Sequence, residues 1–114
     1  AVTPTDDFAH LIFATYRSTR KYNNLINNGK VAILFENRYI NNLNIQETTA
    51  LTAFGYASEV IKDEYETAMQ THLIKHPEQG SFLLSTDCAI FLVVVHAYQL
   101  VLGIDDVQWW NIKE

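Results

Sequence analysis

One cysteine, two prolines, four glycines and eight cations are set among 114 residues, and each scarcity excludes something. Cys88 has no second cysteine in the sequence to pair with, so an internal disulfide and a multi-cysteine metal site are both ruled out. It opens an apolar run, which makes it an inert core thiol rather than a nucleophile. Eight Lys and Arg stand against thirteen Asp and Glu, a formal net charge of −5. A general nucleic-acid binder needs a basic face, and so does a partner of an anionic membrane surface. The balance argues against both. Charged residues make up 18% of the chain and apolar ones 48%, which is a globular and not a disordered composition. The longest apolar stretch, Cys88 to Ile104, falls short of the ~20 residues of a membrane span. It is also rich in β-branched residues and is interrupted by His96 and Gln99. No signal peptide or lipidation motif opens the sequence, so a cytoplasmic location is expected. The length suits one domain over residues 1–114.

What the chain does have is a distinctive stretch from Phe13 to Leu25. Leu11, Phe13 and Thr15 alternate with Ile12, Ala14 and Tyr16, the period of a half-buried strand, within a strand reading from Phe8 to Tyr16. From Lys21 onward Tyr22, Leu25 and Ile26 recur at helical spacing. This predicts a helix over Lys21–Asn28, ended by Gly29 in the left-handed position. Between strand and helix lies Arg17-Ser18-Thr19-Arg20-Lys21, two hydroxyls flanked by three cations. Backbone N–H groups without intrahelical partners, the helix dipole, a planar guanidinium and an ammonium suit an anion such as phosphate. An ordinary capped surface helix with solvated basic residues would carry the same residues.

Further along, Lys30–Glu36 reads as a strand and Asn37–Gln46 as a polar loop with Arg38 near its start. Thr48–Ile61 reads as a long strand whose Gly55 marks a bulge or a close backbone approach. Lys62 opens a helix that stops before Pro77, with Tyr65, Met69, His72 and Leu73 as one stripe and Met69 as a core gap-filler. His72 and His76 have the i, i+4 spacing of a metal pair but no third ligand in the sequence pattern, and they read as ordinary helix histidines. Seventeen residues make an unusually long single strand, so the apolar run is expected to break near Ala97 into Cys88–His96 and Tyr98–Gly103. Val107–Ile112 closes the chain as a strand. Its adjacent Trp109 and Trp110 must face opposite sides, one into the core and the other toward a ligand or an interface. No local signature of a catalytic triad is present, and no general acid or base is assigned.

Phe13, Thr15, Thr19, Arg20, Lys21 and Leu25 fall without a gap on a pattern of aromatic-x-Thr, then Ser/Thr-Arg-Lys opening a helix. Val31-Ala32-Ile33-Leu34 follows as the next strand. In these residues the chain resembles the pyridoxamine 5′-phosphate oxidase-related family of FMN-binding split β-barrels, and the likeness runs from Phe8 to Ile112. It implies a mainly β, antiparallel split barrel with flanking helices (α+β). It implies FMN as cofactor, its phosphate held by Ser18, Thr19, Arg20 and Lys21, its ring against Ala14 and Thr15, with Asn37, Arg38 and Trp109 as further contacts. It also implies a symmetric homodimer with FMN at the interface, and an oxidoreductase that acts on a small molecule or accepts a nicotinamide reductant. Hydride or electron transfer would belong to the flavin. The alternatives within the same fold are a non-catalytic binder of flavin, haem or a deazaflavin, or a degenerate relative without a working site. Two departures stand out. The family's N-terminal helix and first strand have no counterpart here, as in a truncated chain, and Ala50 stands near where the oxidases carry a flavin-contacting glutamine.

Overall fold

The first strand-to-helix handover forms much as the patterning implies. In the computed structural model, which describes residues 1–36, 49–102 and 106–112, the elements are β1 (Val2–Pro4), β2 (His10–Tyr16), α1 (Arg20–Asn27), β3 (Lys30–Glu36), β4 (Thr49–Glu59), α2 (Lys62–Lys75), a 3₁₀ turn over Pro77–Gln79, α3 (Gly80–Leu83), β5 (Cys88–Leu102) and β6 (Asp106–Asn111). All the strand pairings are antiparallel, in the order β1-β2-β5-β4-β3, with β6 also on β5. β2 pairs with Cys88–Val94 of β5 and β6 with Ala97–Leu102, so the two share one edge of β5 while β4 runs along the other. Val2 of β1 and Val31 and Ile33 of β3, from opposite ends of the strand order, pack on one core cluster. The sheet therefore curls toward closure, and α1 covers the gap: its Leu25 is buried in that cluster and its Tyr22 packs against it.

Phe91, fully buried, centres this core. It stacks on Phe13 at 5.5 Å and meets the Tyr22 ring edge-on at 5.8 Å. A second cluster on the other face joins Ile12, Ile90 and Cys88 to Met69 of α2 and Leu83 of α3. Met69 fills this core as expected. Cys88 is buried there, and burial raises its thiol pKa, so it is inert as the sequence implies. His72, also fully buried, joins α2 to β1: Gln79 Oε1 accepts its Nε2–H at 3.0 Å, which leaves Nδ1 to accept the Thr3 hydroxyl at 2.9 Å. Both ring nitrogens are thus engaged in structural hydrogen bonds. His76 stacks beside it with ring centroids 4.9 Å apart.

Several expectations are corrected. The apolar run does not break near Ala97: β5 is one 15-residue strand, because β4 accompanies both halves. The irregularity becomes a bulge. The β4 ladder steps from Gly55↔Val95 to Phe54↔Ala97 and leaves His96 without a β4 partner. Gly55 supplies the close approach read from the sequence, since a Cβ there would lie 2.3 Å from Val94 O. Gly29 is not a left-handed helix end. Asn28 caps α1 in extended backbone, and Gly29 passes so near β4 that a Cβ would lie 2.5 Å from Ala57 O. β2 starts at His10 rather than Phe8, because Thr5 to Phe8 form a turn in which Phe8 takes a positive φ of 59°. Neither tryptophan is core. Trp109 is 54% exposed and stacks on Phe54 at 5.6 Å; Trp110 is 50% exposed and lines an apolar cavity with Phe8 and Tyr98.

Candidate anion and cofactor site

The basic turn is built by capping. Thr19, in extended backbone, accepts the Tyr22 N–H on its Oγ1 at 3.2 Å and so starts α1 at Arg20. Its own hydroxyl proton goes to Tyr16 O at 2.7 Å, so the contact with Thr15 Oγ1 at 3.4 Å is donated by Thr15. The N–H groups of Arg20 and Lys21, at the first two helical positions, have no carbonyl within the helix to bond. Their exposed side chains stand at the same end. Lys21 Nζ lies over the Phe13 ring, 4.9 Å from its centre.

The third cation of the run has a different task. Arg17 Nη2 donates to Glu59 Oε2 at 2.6 Å, and Nη1 donates to Cys88 O at 2.7 Å and Thr86 O at 3.3 Å. Tyr22 OH donates to the other Glu59 oxygen at 2.7 Å. The Glu59 carboxylate raises the pKa of both the Arg17 guanidinium and the Tyr22 phenol. This clamp ties the turn to the ends of β4 and β5. Glu59 and Tyr22 carry no local signal in the sequence; Glu59 lies 42 residues from Arg17 and meets it only through the sheet.

Of the residues implied by resemblance, Ala14, Thr15, Ser18, Thr19, Arg20 and Lys21 form one cluster. Ser18 Oγ donates to Asp87 at 2.8 Å, so its hydroxyl is already engaged with a carboxylate. Beside the cluster is a cavity of about 290 Å³ lined by Ala14, Lys21, Phe13, Leu25 and, from the two sheet ends, Val2 and Val31. Trp109 is not part of this group. Thr15 pairs with Ala89 and Trp109 with Gln99, ten residues apart along β5, or roughly 30 Å. Asn37 and Arg38 lie outside the described residues. Among the described residues no group of three His, Cys, Asp or Glu is placed to hold a metal ion, and no helix is long and apolar enough to cross a membrane.

No family model and no curated protein matches the sequence. Solved structures do match the fold. A heme binding protein from Mycobacterium smegmatis superposes with a TM-score of 0.76 at 14% identity over 96% of this chain and 50% of that one. A Clostridium acetobutylicum protein of the pyridoxinephosphate oxidase family, related to general stress protein 26, gives 0.64 at 15% identity over 95% of this chain and 70% of that one. HutZ, the heme storage protein from Vibrio cholerae, gives 0.65 at 15% identity over 96% of this chain and 71% of that one. The chain spans half the length of the Mycobacterium protein. The fold is therefore the split barrel of the pyridoxine phosphate oxidase-like proteins, the architecture to which the Phe13–Leu25 motif points.

Proposed function

We propose that this chain binds FMN, with the phosphate at the start of α1, and serves as a flavin-dependent oxidoreductase for a small molecule in the cytoplasm. The observation that carries the reading is the pairing of two N–H groups that have no partner within the helix and two exposed cations, at Arg20 and Lys21, with an adjacent cavity that Lys21 and Ala14 line. The residues fit a phosphate. Arg20 supplies a fork, Lys21 a point charge, and Thr19 holds the turn without lending its proton. Bound flavin would supply hydride or electron transfer; the chain's own residues bind the phosphate, orient the ring and screen one face of it.

A second copy belongs to this reading. A cavity of about 290 Å³ sits at the low end of small-molecule sites, which begin near ~300 Å³, and so encloses only part of a flavin. Trp109 lies too far along β5 to reach the same ligand within one chain, so its contact would come from a symmetric partner. Titration of FMN followed by fluorescence quenching is the test. FMN should bind far better than riboflavin. Arg20→Ala with Lys21→Ala should weaken it by about 1.5–3 kcal/mol for each charge-assisted bond lost. Equal affinity for riboflavin, or no effect of the double substitution, would remove the phosphate from this turn. Reduction of bound flavin by a nicotinamide cofactor with turnover tests the enzymatic part; tight binding without turnover would leave a carrier.

A second reading, haem as the ligand, is favoured by the neighbours described as heme-binding and heme-storing. Absorbance titration with hemin separates the two.

A further inference from the structure

We propose that the barrel mouth far from the basic turn is a second binding pocket, one that takes a compact, neutral aromatic molecule of about the size of two fused rings.

The cavity there measures about 310 Å³. Among the described residues it is lined by Phe8, Leu51, Tyr98, Trp110 and Ile112, and the lining is carbon throughout. The strand register explains how these residues meet. Tyr98 belongs to the buried core cluster and pairs with Trp110 of β6, so the two share a face. Leu51 pairs with Leu100, next but one to Tyr98, and Ile112 is next but one to Trp110. Both therefore fall on that face, and both pack against the same cluster. The pocket is distinct from the cavity at the start of α1. Thr15 pairs with Ala89, and Tyr98 is nine residues further along β5, or roughly 30 Å. Buried Phe91, Val93 and Val95 fill the interior between them.

The remaining wall, Phe8, comes from the turn before β2. Its φ of 59° is a conformation that a bulky side chain rarely takes. Hydrogen bonds hold the turn in this form. Phe8 N–H donates to Thr5 O at 3.0 Å, the Tyr98 hydroxyl donates to Phe8 O at 2.7 Å, and Val95 N–H donates to Ala9 O at 2.9 Å. The backbone thus keeps the Phe8 ring, 58% exposed, as a wall of the cavity. Strain that the surrounding bonds over-determine gathers at ligand sites.

The lining selects the ligand. An apolar cavity of about 150 Å³ takes benzene, so this one has room for a second ring. Its volume lies at the low end of small-molecule sites, which begin near ~300 Å³. Phe8, Tyr98 and Trp110 offer rings for offset or edge-to-face contact. Tyr98 gives its hydroxyl proton to Phe8 O, so that group is not a donor to a carboxylate or phosphate. An ionised group set against carbon loses its hydration without gaining a partner, and a net charge of −5 weighs further against an anion. A polar substituent is accommodated only where the mouth opens to water.

Naphthalene is the probe, with 1-naphthoate as its anionic counterpart, and binding to the full chain is followed by NMR and thermal melts. Naphthalene should bind saturably, shift the signals of Leu51, Ile112 and the Trp110 indole, and raise the melting temperature. 1-Naphthoate should bind about tenfold more weakly or worse. Leu51→Trp, which fills the cavity, should lower naphthalene affinity by about tenfold or more. Phe8→Gly should also weaken binding, with the melting temperature held, since glycine takes a positive φ without strain. It keeps the proposal falsifiable if Leu51→Trp fails to fold. An affinity unchanged in either variant, once folded, would overturn the site. So would equal binding of 1-naphthoate, signal shifts centred on Phe13 and Leu25 instead, or no saturable binding. A dimer by light scattering that Trp110→Glu dissociates, with no naphthalene binding by the wild-type chain, would make the mouth a self-association surface and also overturn the proposal.

Discussion

The two halves of β5 differ in what covers them. From Cys88 to Val95 the strand is packed by β2, β4, α2 and α3, and Ala89, Ile90, Phe91 and Val93 are fully buried. From Ala97 to Leu102 it is still largely apolar, interrupted by Gln99, but its edge partner β6 is exposed at every residue. The two halves differ more in cover than in hydrophobicity. The first half holds the fold together and anchors the basic turn through Arg17. Beside the second half, Trp109 and Trp110 of β6 are about half exposed.

The largest expected effect breaks the covered half. Phe91→Ala should cost about 3–5 kcal/mol of unfolding free energy, since it empties the space between Phe13 and Tyr22; a chemical denaturation midpoint reads it. Acid should act on the same half. Burial holds the His72 pKa below the ordinary imidazole value, so the unfolded chain takes up a proton that the native state refuses. Stability should be full above about pH 6.5 and fall as the pH drops below it. His72→Gln should flatten that dependence in thermal melts recorded across the range. Thr19→Ala, at the helix cap, should cost about 1 kcal/mol and fray α1. At the other extreme, Trp110→Ala on β6 should change unfolding free energy by no more than about 0.5 kcal/mol, as exposed positions do. A loss of several kcal/mol there would show that the two halves are equally buried in solution and would dissolve the contrast.

Much of this was legible in local pattern. The alternation of Leu11 to Tyr16, the β3 strand, the Gly55 close approach and the Met69 core position all depend on near neighbours in sequence. The clamp on Arg17 was not legible, since Glu59 is brought to it by two strands of the sheet. The three cations of one short run looked equivalent, yet Arg17 is tied to Glu59 and Cys88 O while Arg20 and Lys21 stand exposed at the helix start. The resemblance made Ser18 a phosphate contact, and the fold also brings Asp87, 69 residues away, within hydrogen-bond reach of its hydroxyl, a contact that local sequence did not show. The break expected near Ala97 was misplaced in kind. A strand's length limit is a statement about average sheets, and a bulge lets the ladder continue past an irregular residue.

Periodicity and composition by themselves determined an acidic, disulfide-free, mainly β chain with a basic strand-to-helix turn, because period, capping and charge are local properties. The tertiary structure decided which apolar residues are covered, that Arg17 is tied to Glu59 while Arg20 and Lys21 stand exposed at the helix start, and that Thr15 and Trp109 lie at opposite ends of β5. Burial and long-range pairing depend on residues far apart in the chain, and only the folded sheet brings those residues together or keeps them apart.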